Sequence, residues 1–287
     1  MALNPDADLQ KRLWQHLQII AQPRDPYWSP AGHRAVQKYI TTQLQPWGEV
    51  EQLAFRVREQ EHYNYQLRCL PQSPKAAQRP PILVGAHYDA VPASPGADDN
   101  ATGLAVLLEL VRSISQLPLR RPLWFVAFDL EEQGLLGSRA YAHHLRTHGQ
   151  PLRLMLSLEM LGYCNQAARS QRYPAFLDKI YPDRGNFIGL IGNVAAIGDL
   201  LRLHLGMRSC HVPCQWLPAG RRGLLVPDTR RSDHASFWDQ GYRAVMVTDT
   251  ANLRNPHYHR LTDTLDTLNL DFLTSVCRGI RHAITHL

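Results

Sequence analysis

Residues 123–138 read LWFVAFDLEEQGLLGS. Six apolar residues run unbroken into Asp129 and Leu130, and then into two adjacent acids, Glu131 and Glu132. A continuous apolar run of this length suits a strand covered on both faces, because a half-exposed strand would alternate. The two acids at its end repel each other, and each costs free energy to desolvate. A positive partner is required there.

The neighbouring segments have the same texture. PILVGAHYDAV (81–91), LRLMLSLEMLGY (152–163), NFIGLIGN (186–193) and RAVMVTDT (243–250) read as strands. ATGLAVLLELVRSISQL (101–117), GLLGSRAYAHHLRTH (134–148) and VAAIGDLLRLHL (194–205) read as the helices between them. Apolar strands alternating with helices predict an α/β fold with a mostly parallel central sheet and helices on both faces. Before them, VEQLAFRV (50–57) and YNYQLRCL (63–70) alternate as an antiparallel hairpin at a sheet edge. Helices are expected at 7–21, at 30–46 with Ser29-Pro30 as its cap, and at 270–287. No linker or repeat divides the chain, so 1–287 reads as one domain. The irregular stretches 164–186 and 208–231 read as lid-like loops.

Composition narrows the function. The 287 residues carry a net charge of +6. The basic residues are dispersed, with no basic helix or aromatic-interleaved stripe, so nucleic acid is not expected as a partner. No run approaches the roughly 18 apolar residues of a membrane span. The opening MALNPDADLQKRLWQHLQII lacks a basic region followed by an apolar run, so the sequence as written reads as cytoplasmic; a chain trimmed of its leader would read the same. Five cysteines (Cys69, Cys164, Cys210, Cys214 and Cys277) are an odd count, and reduced thiols are the plainer reading over a Cys210–Cys214 pair.

In parallel sheets, ligands bind at the carboxyl ends of the strands, and the polar residues gather there. They are His87 and Asp89, Asp98 and Asp99, Glu131 and Glu132, Glu159, Asp233 and His234, and His257 and His259. Imidazoles with carboxylates and no cysteine suit Zn2+, Mn2+ or Co2+. More than four such groups suit two metals sharing a carboxylate. Each has a plainer reading: a core histidine for His87, a helix cap for Asp99, first-turn acids for the glutamates. No GxSxG, HExxH, GxGxxG or GxxxxGK[ST] pattern offers a rival chemistry.

Six segments in order, GAHYDAV, SPGADDNATG, EEQGLLGS, SLEMLGY, RSDHASFWDQGY and NPHYHRLTDTLDTL, resemble the co-catalytic zinc aminopeptidases of peptidase family M28. That resemblance implies a zinc-exopeptidase fold, two Zn2+ ions and peptide substrates with a free N-terminus. It implies His87 and Glu159 on one metal, Glu132 and His259 on the other, and Asp99 bridging both. Glu131 is implied as general base and then acid, Tyr258 as a hydrogen-bond donor to the oxyanion, and Asp89 as the group orienting His87. His234 is expected to support the site from behind the ligands or to be structural. Two departures stand out: Glu159 replaces a frequent aspartate, and Arg260 follows the last ligand where threonine is frequent. A glutaminyl-cyclase-like transferase and a non-catalytic binding module share the fold. The complete ligand set with its paired glutamates favours the hydrolase.

Overall fold

The computed structural model of the protein describes residues 5–174 and 176–287. The first four residues of the leader reading, and position 175 within 164–186, lie outside the described residues. In chain order the helices are α1 (Pro5–Ile20), α2 (Pro30–Leu44), α3 (Pro74–Ala77), α4 (Gly103–Ile114), α5 (Leu136–Thr147), α6 (Ile197–Ser209), α7 (His234–Asp239) and α8 (Leu270–Thr285). The strands are β1 (Val50–Val57), β2 (Gln60–Cys69), β3 (Ile82–His87), β4 (Leu123–Phe128), β5 (Leu154–Glu159), β6 (Ile188–Asn193), β7 (Cys214–Ala219) and β8 (Ala244–Thr248). They form one sheet in the order β1-β2-β4-β3-β5-β8-β6-β7.

The parallel heart is β4-β3-β5-β8. Its apolar runs are explained by helices on both faces. Along β3, Ile82, Val84 and Ala86 enter one core while Leu83 enters the other. Along β4, Leu123, Phe125 and Ala127 face the first core; Trp124, Val126 and Phe128 face the second. Helices α1, α2, α4, α6 and α8 cover the first face, and α5 with α7 the second. The helical spacing read in the N-terminal stretch buries Leu13, Leu17 and Ile20 completely. Pro30 opens α2 as expected, but the Ser29 side chain makes no cap bond.

Antiparallel pairing enters on both sides of the parallel heart. The β1–β2 hairpin adds antiparallel to β4, as read from its alternation. Strand β6, however, runs antiparallel to β8. Among the described residues, the chain leaves β5 through the irregular 160–187 stretch without the α-helix that usually carries a parallel crossover, and it returns antiparallel. The expected loop at 208–231 also contains a strand, β7, paired in parallel with β6. Pro213 and Pro218 hide it in the sequence; at a sheet edge, a proline's missing N–H goes unused. All five cysteines are free thiols, so no Cys210–Cys214 bond forms.

The turn after β4 is closely packed. A Cβ built on Gly137 would lie 2.2 Å from the Asp129 carbonyl oxygen and 2.5 Å from Asn64 Oδ1. Gly137→Ala should therefore push α5 from the strand end and cost about 1–3 kcal/mol, read as a lower midpoint in urea denaturation.

Candidate metal centre

Neighbouring strands lie about 4.8 Å apart, and that spacing assembles the site. His87 ends β3, the strand between β4 and β5. Glu159 ends β5 on one side, and Glu131 and Glu132 follow β4 on the other. Asp99 arrives in the turn before α4, and His259 in the loop after β8. Leu130 and Met160, just past β4 and β5, take left-handed backbone (φ 54° and 47°), as does His259 (φ 56°). Non-glycine residues held there cost free energy and concentrate at functional turns.

Asp99 lies between the two imidazoles. Its Oδ1 is 3.3 Å from His87 Nε2, and its Oδ2 is 3.3 Å from His259 Nε2. Glu132 Oε2 is 3.1 Å from His259 Nε2. Glu159 Oε2 is 3.7 Å and Glu131 Oε2 4.0 Å from His87 Nε2. The structure thus brings together all six residues singled out as ligands and base. Glu131, which the family resemblance leaves off the metals, has ligand atoms within 4.8 Å of those of His87 and Glu159; His87, Asp99 and Glu132 form a second such group.

The donor set fits divalent cations. Both ring nitrogens of His87 and Oε1 of Glu132 are buried without an aligned hydrogen-bond partner. Buried polar atoms rarely stay unpaired. His87 Nδ1 faces Asp89, while its Nε2 faces the carboxylates of Asp99 and Glu159, as a nitrogen ligand to an ion would.

The electrostatics agree. Burial pushes the Glu131 carboxyl well above its usual range, and Glu159 and Glu132 add to the push. Burial and then Asp99 raise Glu132 to about 7. Burial opposes protonation of His259, but the carboxylates of Asp99 and Glu132 outweigh it and lift the ring to about 10. Burial likewise disfavours a charged His87, and the surrounding acids override it. Protons held this tightly mark where cations would sit instead.

Further residues support the site, Asp89 among them as expected. Asp89 accepts the backbone N–H groups of Glu131 and Glu132, each at 3.1 Å, and its Oδ1 lies 3.3 Å from His87 Nδ1. Asp263 accepts the N–H groups of Asp98 and Asp99 at 2.9 and 3.1 Å. Arg24, completely buried, donates to the carbonyls of Tyr88, Gly96 and Asp99 at 2.9, 2.9 and 3.2 Å. Ser232 donates to Glu159 Oε2 at 2.7 Å. Asp98, adjacent to the bridging position, instead ties three loops: it accepts from Gly162 N, Thr102 Oγ1 and Asn255 Nδ2. Asp263 lies within a quoted motif, but Arg24 stands alone in QPRDPYW, with nothing in its spacing to announce it.

His234 is turned away from the ligands. Its Nε2 donates to the Thr229 carbonyl at 2.8 Å, and its ring meets Trp238 edge-on. The supporting contact expected of it comes from Ser232, two residues earlier.

A cavity of about 90 Å3, open at its mouth, adjoins Glu159 and Tyr258. Its walls come from parts of the lid-like stretches 164–186 and 208–231, from Phe187 and β6, and from β8 and the loop after it. Tyr173, Tyr181 and Trp216 line it; Phe176 is 75% exposed and takes no part.

Burial lowers His234 to about 4, so the folded protein holds it neutral while the unfolded chain binds its proton near 6.5. Its stabilising effect is complete above about 6.5 and falls away as pH drops toward 4. In chelator-treated protein, wild type should lose roughly 1–2 kcal/mol relative to His234→Phe between pH 6.5 and 5, measured by urea denaturation.

Residues 69–195 match the model of Peptidase family M28. The chain is 35% identical over 218 residues to the uncharacterized protein YfbL of Escherichia coli (strain K12), which covers 71% of this chain and 66% of YfbL. It is 39% identical over 145 residues to aminopeptidase YwaD of Bacillus subtilis (strain 168), covering 49% and 31%. It therefore spans just under two-thirds of the first relative and under a third of the second. In fold it is similar to the LapA aminopeptidase of Legionella pneumophila (TM-score 0.74, 20% identity, 98% of this chain and 74% of that one). It is also similar in fold to Porphyromonas gingivalis glutaminyl cyclase (TM-score 0.69, 18% identity, 100% of both). The matched segment carries His87, Asp99, Glu131, Glu132 and Glu159, and over residues 69–195 this chain matches peptidase family M28.

Proposed function

We propose that this protein is a metal-dependent aminopeptidase that removes residues from the free N-terminus of peptides. The observation that carries the reading is the Asp99 carboxylate, with one oxygen 3.3 Å from each of two imidazoles. A carboxylate so placed suits a bridge between two cations. His87 and Glu159 would hold one and His259 and Glu132 the other, with zinc the first choice and Mn2+ or Co2+ as substitutes. Bound there, the cations would lower the pKa of a water and polarise the scissile carbonyl.

The protein's own groups supply the rest. Glu131 takes a proton from the attacking water and delivers it to the departing amine. Its buried position raises its proton affinity, which suits a group that must both accept and release a proton. Asp89, through the amides of Glu131 and Glu132, fixes which glutamate faces the ligands and which the water. Tyr258 donates its O–H to the oxygen that gains charge. The aromatic cavity beside Glu159 receives the first side chain of the peptide.

The deciding experiment couples metal content to hydrolysis of an aminoacyl-p-nitroanilide panel, with and without chelator. About two zinc per chain and chelator-sensitive release are expected. One zinc, no amidase activity and cyclisation of an N-terminal glutamine peptide would replace this reading with the cyclase. No zinc after reconstitution would favour a binding module.

Two substitutions probe the roles. Glu131→Gln should fold and keep most of its metal while losing turnover by about two to four orders of magnitude; near-normal turnover would remove Glu131 from the mechanism. Asp99→Ala should lose at least one metal by elemental analysis, and full occupancy would refute the bridge.

A further inference from the structure

Arg231 belongs to no ligand set, yet it reaches the site through Tyr258. Its Nη2 donates to the Tyr258 hydroxyl oxygen at 3.1 Å. Its guanidinium carbon lies 5.3 Å from the centre of the Tyr258 ring. That ring in turn stacks on His259, with centroids 3.8 Å apart and planes 21° from parallel. A planar cation, a phenol and an imidazole form three layers, and the innermost is the candidate ligand with the most exposed side chain.

Little else competes for the guanidinium. Asp228 stands 3.8 Å from Nη1, too far for a hydrogen bond, and both side chains are 44% exposed. Such an exposed pair holds weakly. Among the described residues, the hydrogen bond from Arg231 goes to Tyr258 alone.

The phenol needs this partner. A hydroxyl among carboxylates will turn and donate to one of them. An oxygen that accepts an N–H from the guanidinium directs its own proton elsewhere. The charge of the guanidinium also makes the phenol a stronger donor.

We propose that Arg231 is a positioning residue that holds Tyr258 over His259 and aims its O–H at the scissile carbonyl oxygen of the peptide as that oxygen becomes an oxyanion. This rests on the aminopeptidase reading above. Arg231 acts through Tyr258, so removing both should cost no more than removing Tyr258.

The test is a double-substitution cycle in zinc-loaded protein: wild type, Arg231→Met, Tyr258→Phe and the pair. Three quantities are read: kcat and KM on an aminoacyl-p-nitroanilide, affinity for an α-aminoalkyl boronic acid by calorimetry, and zinc content. Tyr258→Phe should lower kcat by about 100-fold. Arg231→Met should lower it by about tenfold or more, with KM within about twofold and zinc unchanged. The double variant should match Tyr258→Phe, and boronic acid affinity should follow the same pattern. Additive losses, a rise in KM at constant kcat, or loss of zinc from Arg231→Met would each overturn the proposal. If the zinc-loaded wild type hydrolyses no anilide, the aminopeptidase reading fails separately. The boronic acid cycle then decides on its own: non-additive losses support the role of Arg231, and additive losses or no binding refute it.

Discussion

Carboxylates buried side by side repel one another, and this protein places several at the end of one parallel sheet. Glu131 and Glu132 are adjacent in the chain, Glu159 lies two strands away, and Asp99 stands between two imidazoles. Each is held by groups that leave its oxygens facing inward. The N–H groups of both glutamates are taken by one carboxylate, that of Asp89. That double bond fixes the turn after β4, sets the two side chains on different headings, and places the same Asp89 against His87 Nδ1. An arrangement that is costly when empty of positive charge becomes favourable when cations fill it.

The loops that carry Asp99 are braced from behind by two further buried charges. Arg24 reaches from the segment after α1 to the carbonyls around residues 88–99, and Asp263 reaches from the far end of the chain to the amides of Asp98 and Asp99. Backbone groups in such a turn lack ladder partners and must find others. Residues more than 200 positions apart in sequence thereby converge on one ligand, so its placement depends on the whole chain being folded.

The candidate ligands were legible in the sequence because their surroundings are regular. An apolar strand that ends in an acid or histidine declares both its burial and the direction of its end, which is why His87, Glu131, Glu132 and Glu159 could be read together. The supports were not legible, because Arg24 and Ser232 act through contacts that no local period encodes. His234 lies within a recognised segment, yet its ring faces Trp238, since spacing locates a residue without saying which way it points. The sheet edge misled for a related reason. β7 carries prolines that read as loop, and the direction of β6 depends on the absence of a crossover helix rather than on anything within the strand.

The reversal at β6 divides the sheet into two parts with separate duties. The floor of the candidate metal centre hangs from β3, β4 and β5, whereas much of the cavity wall hangs from β6, β7 and the loops around them. The sheet joins the two parts along a single seam, the pairing of Gly189–Gly192 with Val245–Thr248. A wall attached by one seam of main-chain bonds can be exchanged with little disturbance to the floor, because ladder bonds are indifferent to side-chain identity. The architecture thus separates selectivity from chemistry, and lineages sharing one reaction centre can diverge in diet by rewriting the wall alone.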